Sequence, residues 1–314
     1  MFGRKVEAGA LAAWLIVAMS APFVLLAGKY SWLGLALAWV VTGLLCRLIT
    51  GLPTQQLCRS RAYCILQFLF LSVVLAFFAN WSEDAWPTGR DFPVVPLTLL
   101  ALAVLSAYQG AVRASRVGAV LFWLIAVLYG ALLAFGSRNV QLDFLQPQYD
   151  APGAQALLVL LLPALIQFIP REIKPVLHWT VFLVGGLFVA LSLWAIGGLS
   201  FQVSQTAPWP FYEAGKSVSV LGIAERLEAF ISVAATVGCF GLFSMFISAM
   251  AHLAENIRPS WGKYGAVTAG LLAAGLLLFA PEIPVVWLLF GALTLWCLFP
   301  FVGVCIFCEK NKKK

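Results

Sequence analysis

Charge is scarce in this chain. Asp, Glu, Lys and Arg make up 11% of its 314 residues, apolar types make up 62%, and the mean hydropathy is +0.95. A soluble domain carries about 25% charged residues, so soluble domains are excluded at this length. Strict apolar–polar alternation is also missing. The apolar runs are about 20 residues long, the length of a membrane-crossing helix, where barrel strands would alternate over about 10. Histidine is limited to His178 and His252. Each falls at the end of an apolar run with no third ligand near it, so both read as interfacial side chains, and no metal is expected. Seven cysteines include Cys305-x-x-Cys308, half of a metal motif without its second pair, which reads as reduced helix-end thiols. No GxSxG, HExxH, P-loop or paired intramembrane carboxylate occurs. Neither an enzyme nor a cofactor is expected, and without an ATP-binding domain any transport is secondary or passive.

What remains is a succession of apolar segments. Ten spans are expected, at roughly 8–27, 31–49, 62–79, 93–112, 117–136, 153–170, 176–199, 223–253, 264–280 and 285–307. The net charge of +7 does not point to nucleic acid, because the basic residues sit at span ends rather than on one face. With both termini cytoplasmic, the outer ends hold only Lys29, Arg90, Arg138, Lys216 and Arg226 of the twenty Lys and Arg residues. The same outer loops collect Glu83, Asp84, Asp91, Asp143, Asp150, Glu213 and Glu282. The bias matches the positive-inside rule and places the chain in the cell membrane as a multi-pass protein. Arg4, Lys5 and the run ending at Ala18-Met19-Ser20 imitate a cleavable signal peptide, but the apolar run continues through Pro22 to Ala27. A retained first span is expected.

Ten spans divide into five and five, and an odd number per half gives two halves of opposite orientation. The expected architecture is an all-α integral membrane protein. It forms one permease-like domain over 1–314, with inverted repeats 1–150 and 151–314. The first span of each half carries an internal proline, Pro22 and Pro163. A proline inside a helix leaves a carbonyl without its donor, and a membrane tolerates such groups only where they are buried or line a cavity. Broken spans 1 and 6 around a midplane site are therefore expected, against the plainer reading of two kinks.

The most informative stretch runs from Pro210 to Asn256. It opens as a polar, proline-bounded loop and passes through Glu225, Arg226 and Glu228 into a long apolar span. Acids in a first helical turn suit the positive end of the helix dipole; Arg226 and Glu228 also form a candidate charge motif at an outer mouth. Within the spans the deeper polar residues are Ser20, Gln67, Gln167, Ser232, Thr236, Ser244 and Ser248. Ser20 lies beside Pro22, and Ser232 and Thr236 share one helix face. Such hydroxyls commonly bond their own or a neighbouring helix; with the small residues around Ala234 to Gly241 they also make a candidate solute pocket.

LGIAERLEAFISVAATVG, with Pro210 and Lys216 upstream, resembles the endospore germination permeases. These are the B-type membrane subunits of spore nutrient-germinant receptors, a branch of the amino acid–polyamine–organocation transporter superfamily. Arg226, Leu227, Glu228 and Phe230 match that family's Arg-Leu-Glu-aromatic segment. Ala107 to Leu128 resembles its span 4–5 turn, and Leu162 to Pro175 is similar to its span 6 and basic loop. Two places depart from the pattern. Met19-Ser20-Ala21-Pro22 stands where the superfamily has a glycine-rich break, and small residues near Ala234 to Thr236 replace a tryptophan. The resemblance implies an inverted-repeat fold, with Met19, Ser20, Ala21, Pro22, Leu162, Pro163, Ala164, Ser232 and Thr236 around an amino acid or similar small nutrient. Ser20, Ala21, Leu162 and Ala164 would present backbone groups to a zwitterion. It further implies other receptor membrane subunits and a lipoprotein as partners, and the spore inner membrane as location. A free-standing amino-acid transporter and a non-transporting structural subunit are the alternatives.

Overall fold

A computed structural model describes residues 8–51, 57–58, 60–84, 93–137, 140–169, 174–216, 228–280 and 283–303. Among them every regular element is a helix. The helices are α1 (Ala8–Leu26), α2 (Trp32–Gly51), α3 (Arg61–Asp84), α4 (Val94–Tyr108), α5 (Ala111–Gly136), α6 (Ala154–Leu161), α7 (Lys174–Leu199), α8 (Phe201–Thr206), α9 (Pro210–Lys216), α10 (Glu228–Ile257), α11 (Gly262–Phe279) and α12 (Val285–Ala292). Helix α6 continues as a 3₁₀ segment (Leu162–Phe168), and α12 as a π-helical one (Leu293–Leu298). Among the described residues, eight helical stretches are long and apolar enough to cross a bilayer. The protein is an all-α integral membrane protein.

Two expected spans are shorter. Helix α4 ends at Tyr108, because Gly110 takes a φ of 97° that returns the chain into α5; side chains other than glycine rarely adopt that region. At 1.5 Å per residue its 15 residues cover about 22 Å, less than the roughly 30 Å apolar thickness. Arg113 and Arg116, expected in the loop, lie in the first turns of α5 instead.

Helices α1 and α10 form the centre. Every residue of α1 from Trp14 to Leu26 is buried, as an all-round apolar helix requires. It packs most extensively on α10 and next on α5. Helix α10 also touches α3, α4, α5, α9, α11 and the 3₁₀ segment after α6. Small residues allow this crowding: a methyl group placed on Gly238 would overlap Ser20 Oγ and the Ala21 amide nitrogen.

Some of the helix contacts recur in pairs. Helix α1 packs on α5 and α7; α6 packs on α12 and α2. Helix α4 packs on α10, and α11 on α3. Helices α2 and α7 pack on each other, where Trp39 Nε1 donates to the Val181 carbonyl at 3.2 Å.

The segment between α5 and α6 is folded back onto helix ends. Ser31, preceding α2, caps it by accepting from the Gly34 N–H at 3.1 Å, and the Asp150 N–H donates to the same oxygen at 3.1 Å. Trp32 Nε1 donates to the Leu145 carbonyl, and the Gln141 N–H to the Gly197 carbonyl. Nearby, burial and the adjacent Asp150 carboxylate raise the Tyr30 phenol above its ordinary pKa.

Candidate functional site

Span 1 is not broken. Helix α1 runs through Met19, Ser20, Ala21 and Pro22 without interruption, packed on α10, α5, α7 and α9. Pro22 leaves the Ala18 carbonyl without its usual donor. Around it, Ser20 Oγ donates to the Val17 carbonyl at 2.6 Å and lies 3.3 Å from the Ala234 carbonyl of α10. The Tyr129 hydroxyl of α5 donates to the Ser20 carbonyl at 3.0 Å. One serine thus ties three helices together.

Span 6 does change conformation, at Leu162. Pro163 cannot donate to Val159; instead the Leu162 N–H bonds that carbonyl, three residues back. The tighter ladder repairs the defect and continues to Phe168. At about 2.0 Å rise per 3₁₀ residue, it also stretches the 15 residues from Ala154 to about 26 Å. Leu162, Pro163 and Ala164 are fully enclosed. The 3₁₀ segment packs on α10, α7 and α2. Both expected break segments therefore reach α10, one through Ser20 and the other through this segment.

Among the deeper polar groups, Gln167 stands out. It lies in the 3₁₀ segment, half-buried, and both polar atoms of its amide lack a hydrogen-bond partner. Ser232 and Thr236 are not brought to Ser20. They lie two residues from Ala234 and Gly238, about 200° around α10, and the Thr236 hydroxyl donates to the Ser232 carbonyl at 2.9 Å. Ser244 meets Ser106 of α4 at 3.3 Å. Gln67 Nε2 and the Tyr63 hydroxyl both donate to the Leu295 carbonyl, at 2.9 and 3.3 Å. That acceptor lies in the π-helical segment, whose widened turn exposes carbonyls to outside donors.

Beyond Ser20, toward the Leu26 end, lies an aromatic cluster. Phe23 stacks on Phe188 at 4.8 Å, and Phe211 lies 5.0 Å from Trp194 and 6.2 Å from Tyr129. Phe211 belongs to α9, so the stretch expected as a polar loop is, in part, a short helix. Its Pro210, Phe211, Ala214 and Gly215 are buried against the bundle. Arg226 lies outside the described residues, and Glu228 is the first residue of α10. His178 packs edge-on to Phe182 at 5.0 Å, and His252 Nδ1 lies 3.5 Å from Glu255 Oε2. Among the described residues no cluster of three or more potential metal ligands occurs.

Sequence reasoning missed Tyr129 and Phe211. A phenol within the apolar run of span 5 was a signal, since a buried tyrosine needs a partner; Phe211 gave none, standing in a segment rich in loop-forming residues. No protein-family model matches this chain, and no match was found among curated proteins.

Proposed function

We propose that this is a permease-like membrane protein built from two inverted repeats, which binds an amino acid or similar small nutrient where α1, α10 and the 3₁₀ segment meet. The observation that carries the reading is a set of helix contacts that recur in pairs, with the extensive α1–α10 contact standing outside it. Matching helices as α1 with α6, α2 with α7, α3 with α10, α4 with α11 and α5 with α12, the contacts α1–α5, α1–α7 and α4–α10 recur as α6–α12, α6–α2 and α11–α3. Secondary transporters built from inverted repeats place their sites at the repeat interface, near interrupted helices. The conversion at Leu162 and the unpartnered amide of Gln167 support that placement. Both ends of the chain would face the cytoplasm, as the basic residues at span ends favour.

The resemblance around Arg226 to Phe230 makes the membrane subunit of a spore germinant receptor the preferred role, with other receptor subunits and a lipoprotein as partners in the spore inner membrane. A nutrient would bind behind the Phe23, Phe188, Phe211 and Trp194 cluster, and rearrangement of α9 would admit it and pass the signal on. Uptake of a labelled amino acid into liposomes by the purified chain separates the roles. Binding without uptake supports the receptor subunit; uptake by the chain alone supports a free-standing transporter. The complete enclosure of Met19 and Ser20, both 0% exposed, favours the structural subunit as the second reading, and absence of both binding and uptake would select it.

A further inference from the structure

The geometry points to a binding site for one anionic phospholipid in the groove between α3 and α11. The groove has a volume of about 340 Å³ and lies against the end of α10. Ile65 and Leu69 of α3 line one side and Trp261, Tyr264 and Thr268 the other, with Ile257 and the buried Ala254 of α10 between them. The wall residues face outward: Leu69 is 52% exposed and Tyr264 70%. An outward groove of this composition in a membrane helix bundle meets lipid rather than water, and its shape takes a length of acyl chain.

Charge and aromatic placement specify the lipid further. Arg61 stands four residues before Ile65, so it continues the α3 wall one turn beyond the apolar lining. Arg258 follows Ile257 directly, and its guanidinium lies 5.8 Å from the Trp261 ring. Both arginines are exposed, and both sit at the end where α3 begins and α10 finishes. Lys263 is turned aside onto the Tyr108 ring at 5.2 Å. The nearby acid, Glu255, faces His252 at 3.5 Å. Two exposed guanidiniums at the end of an apolar groove lined by Trp261 and Tyr264 fit a phosphodiester above its own acyl chain. Arginine pairs with phosphate through two parallel N–H donors, and basic pockets between membrane helices bind acidic headgroups in this way. A zwitterionic lipid has the same chain but carries a positive group that the arginines repel.

The site is independent of the nutrient-binding reading, and the experiment separates the two. The purified full-length chain is delipidated in detergent, and binding of phosphatidylglycerol and of phosphatidylcholine with identical acyl chains is measured by native mass spectrometry and thermal shift. Phosphatidylglycerol is expected to bind at least about tenfold more tightly. Arg61→Gln with Arg258→Gln should remove that preference, and Thr268→Trp, which fills the groove from an exposed position, should weaken both lipids. Leu69→Cys carrying a photo-crosslinker should capture lipid. Equal binding of the two lipids, a preference that survives the arginine changes, or capture of a protein or a second copy of this chain in place of lipid would overturn the assignment. Adding amino acids to the same samples reads the nutrient site separately.

Discussion

Tyr129 of α5 donates its hydroxyl to the backbone carbonyl of Ser20 in α1, 3.0 Å away and wholly buried. The bond lies two residues before Pro22, on the stretch of α1 that was expected to unwind. It pins the helix where proline has weakened its internal ladder. Tyr129→Phe keeps the ring against Phe211 and loses only the donor, so a destabilisation of about 0.5–1.5 kcal/mol is expected. Tyr129→Ala also opens a cavity and should cost about 3–5 kcal/mol. Reversible denaturation in detergent measures both; equal losses for the two variants would show that the hydroxyl rather than the ring carries the contact.

Close approach of α1 and α10 depends on Gly238. Gly238→Val should destabilise by about 1–3 kcal/mol or more, because Ser20 and the backbone at Ala21 block the added atoms. Gly275 of α11 is the control, with nothing within 4 Å of an added Cβ. Gly275→Ala should be neutral or stabilise by up to about 1 kcal/mol. The same denaturation assay on both variants checks the contrast.

The Leu295 carbonyl provides a test of coupling. Gln67 donates to it while leaving its own Oε1 unpartnered, so Gln67→Leu removes one favourable and one unfavourable feature and should cost under about 1 kcal/mol. Combined with Tyr63→Phe, it deprives the π-helical carbonyl of both outside donors. The double variant should lose about 0.5 kcal/mol or more beyond the sum of the singles. Additive losses would mean that the two donors act independently.

Cys58 precedes α3, and its thiol is pushed up to about 12 by burial and then by Cys64 beside it. A raised value favours the neutral thiol. Alkylation at pH 8 should therefore run about a thousandfold slower than for a free thiol, since the thiolate is the nucleophile. The rate should climb steadily as pH rises toward 12, and any stability linked to this group should fall over the same range. Residue-resolved mass spectrometry after timed alkylation reads the rate; rapid labelling of Cys58 at pH 8 would contradict the burial.

The membrane class and most helices were legible because a bilayer-crossing helix needs a long apolar run, which composition alone displays. Three features were not. Pro22 and Pro163 look alike in sequence and both are buried, yet only Pro163 sits where the helix converts. Phe211 stands among Pro, Tyr and Glu, and only its burial against Trp194 and Tyr129 reveals a helix packed into the bundle. The spacing of Ser232 and Thr236 correctly put them on one face, but that face is not the one Ala234 and Gly238 turn to Ser20. Periodicity tells which residues share a side of a helix; it does not tell which neighbour that side meets.

The most direct test of a nutrient site at α1, α10 and the 3₁₀ segment is a thermal-shift series on the detergent-purified chain with the common amino acids at millimolar concentration. Because Gly238 presses on Ser20, a bulky residue there would break the fold; Gln167→Leu is the suitable variant, as its amide has no partner to lose. A ligand stabilises the state that it binds according to its concentration over its dissociation constant, by about 2.7 kcal/mol at a hundredfold excess. The expected result is a shift with one amino acid or a small related group, abolished in Gln167→Leu while the unliganded melting temperature holds. No shift with any amino acid, together with no binding of labelled amino acids to native membranes containing the protein, would contradict the site.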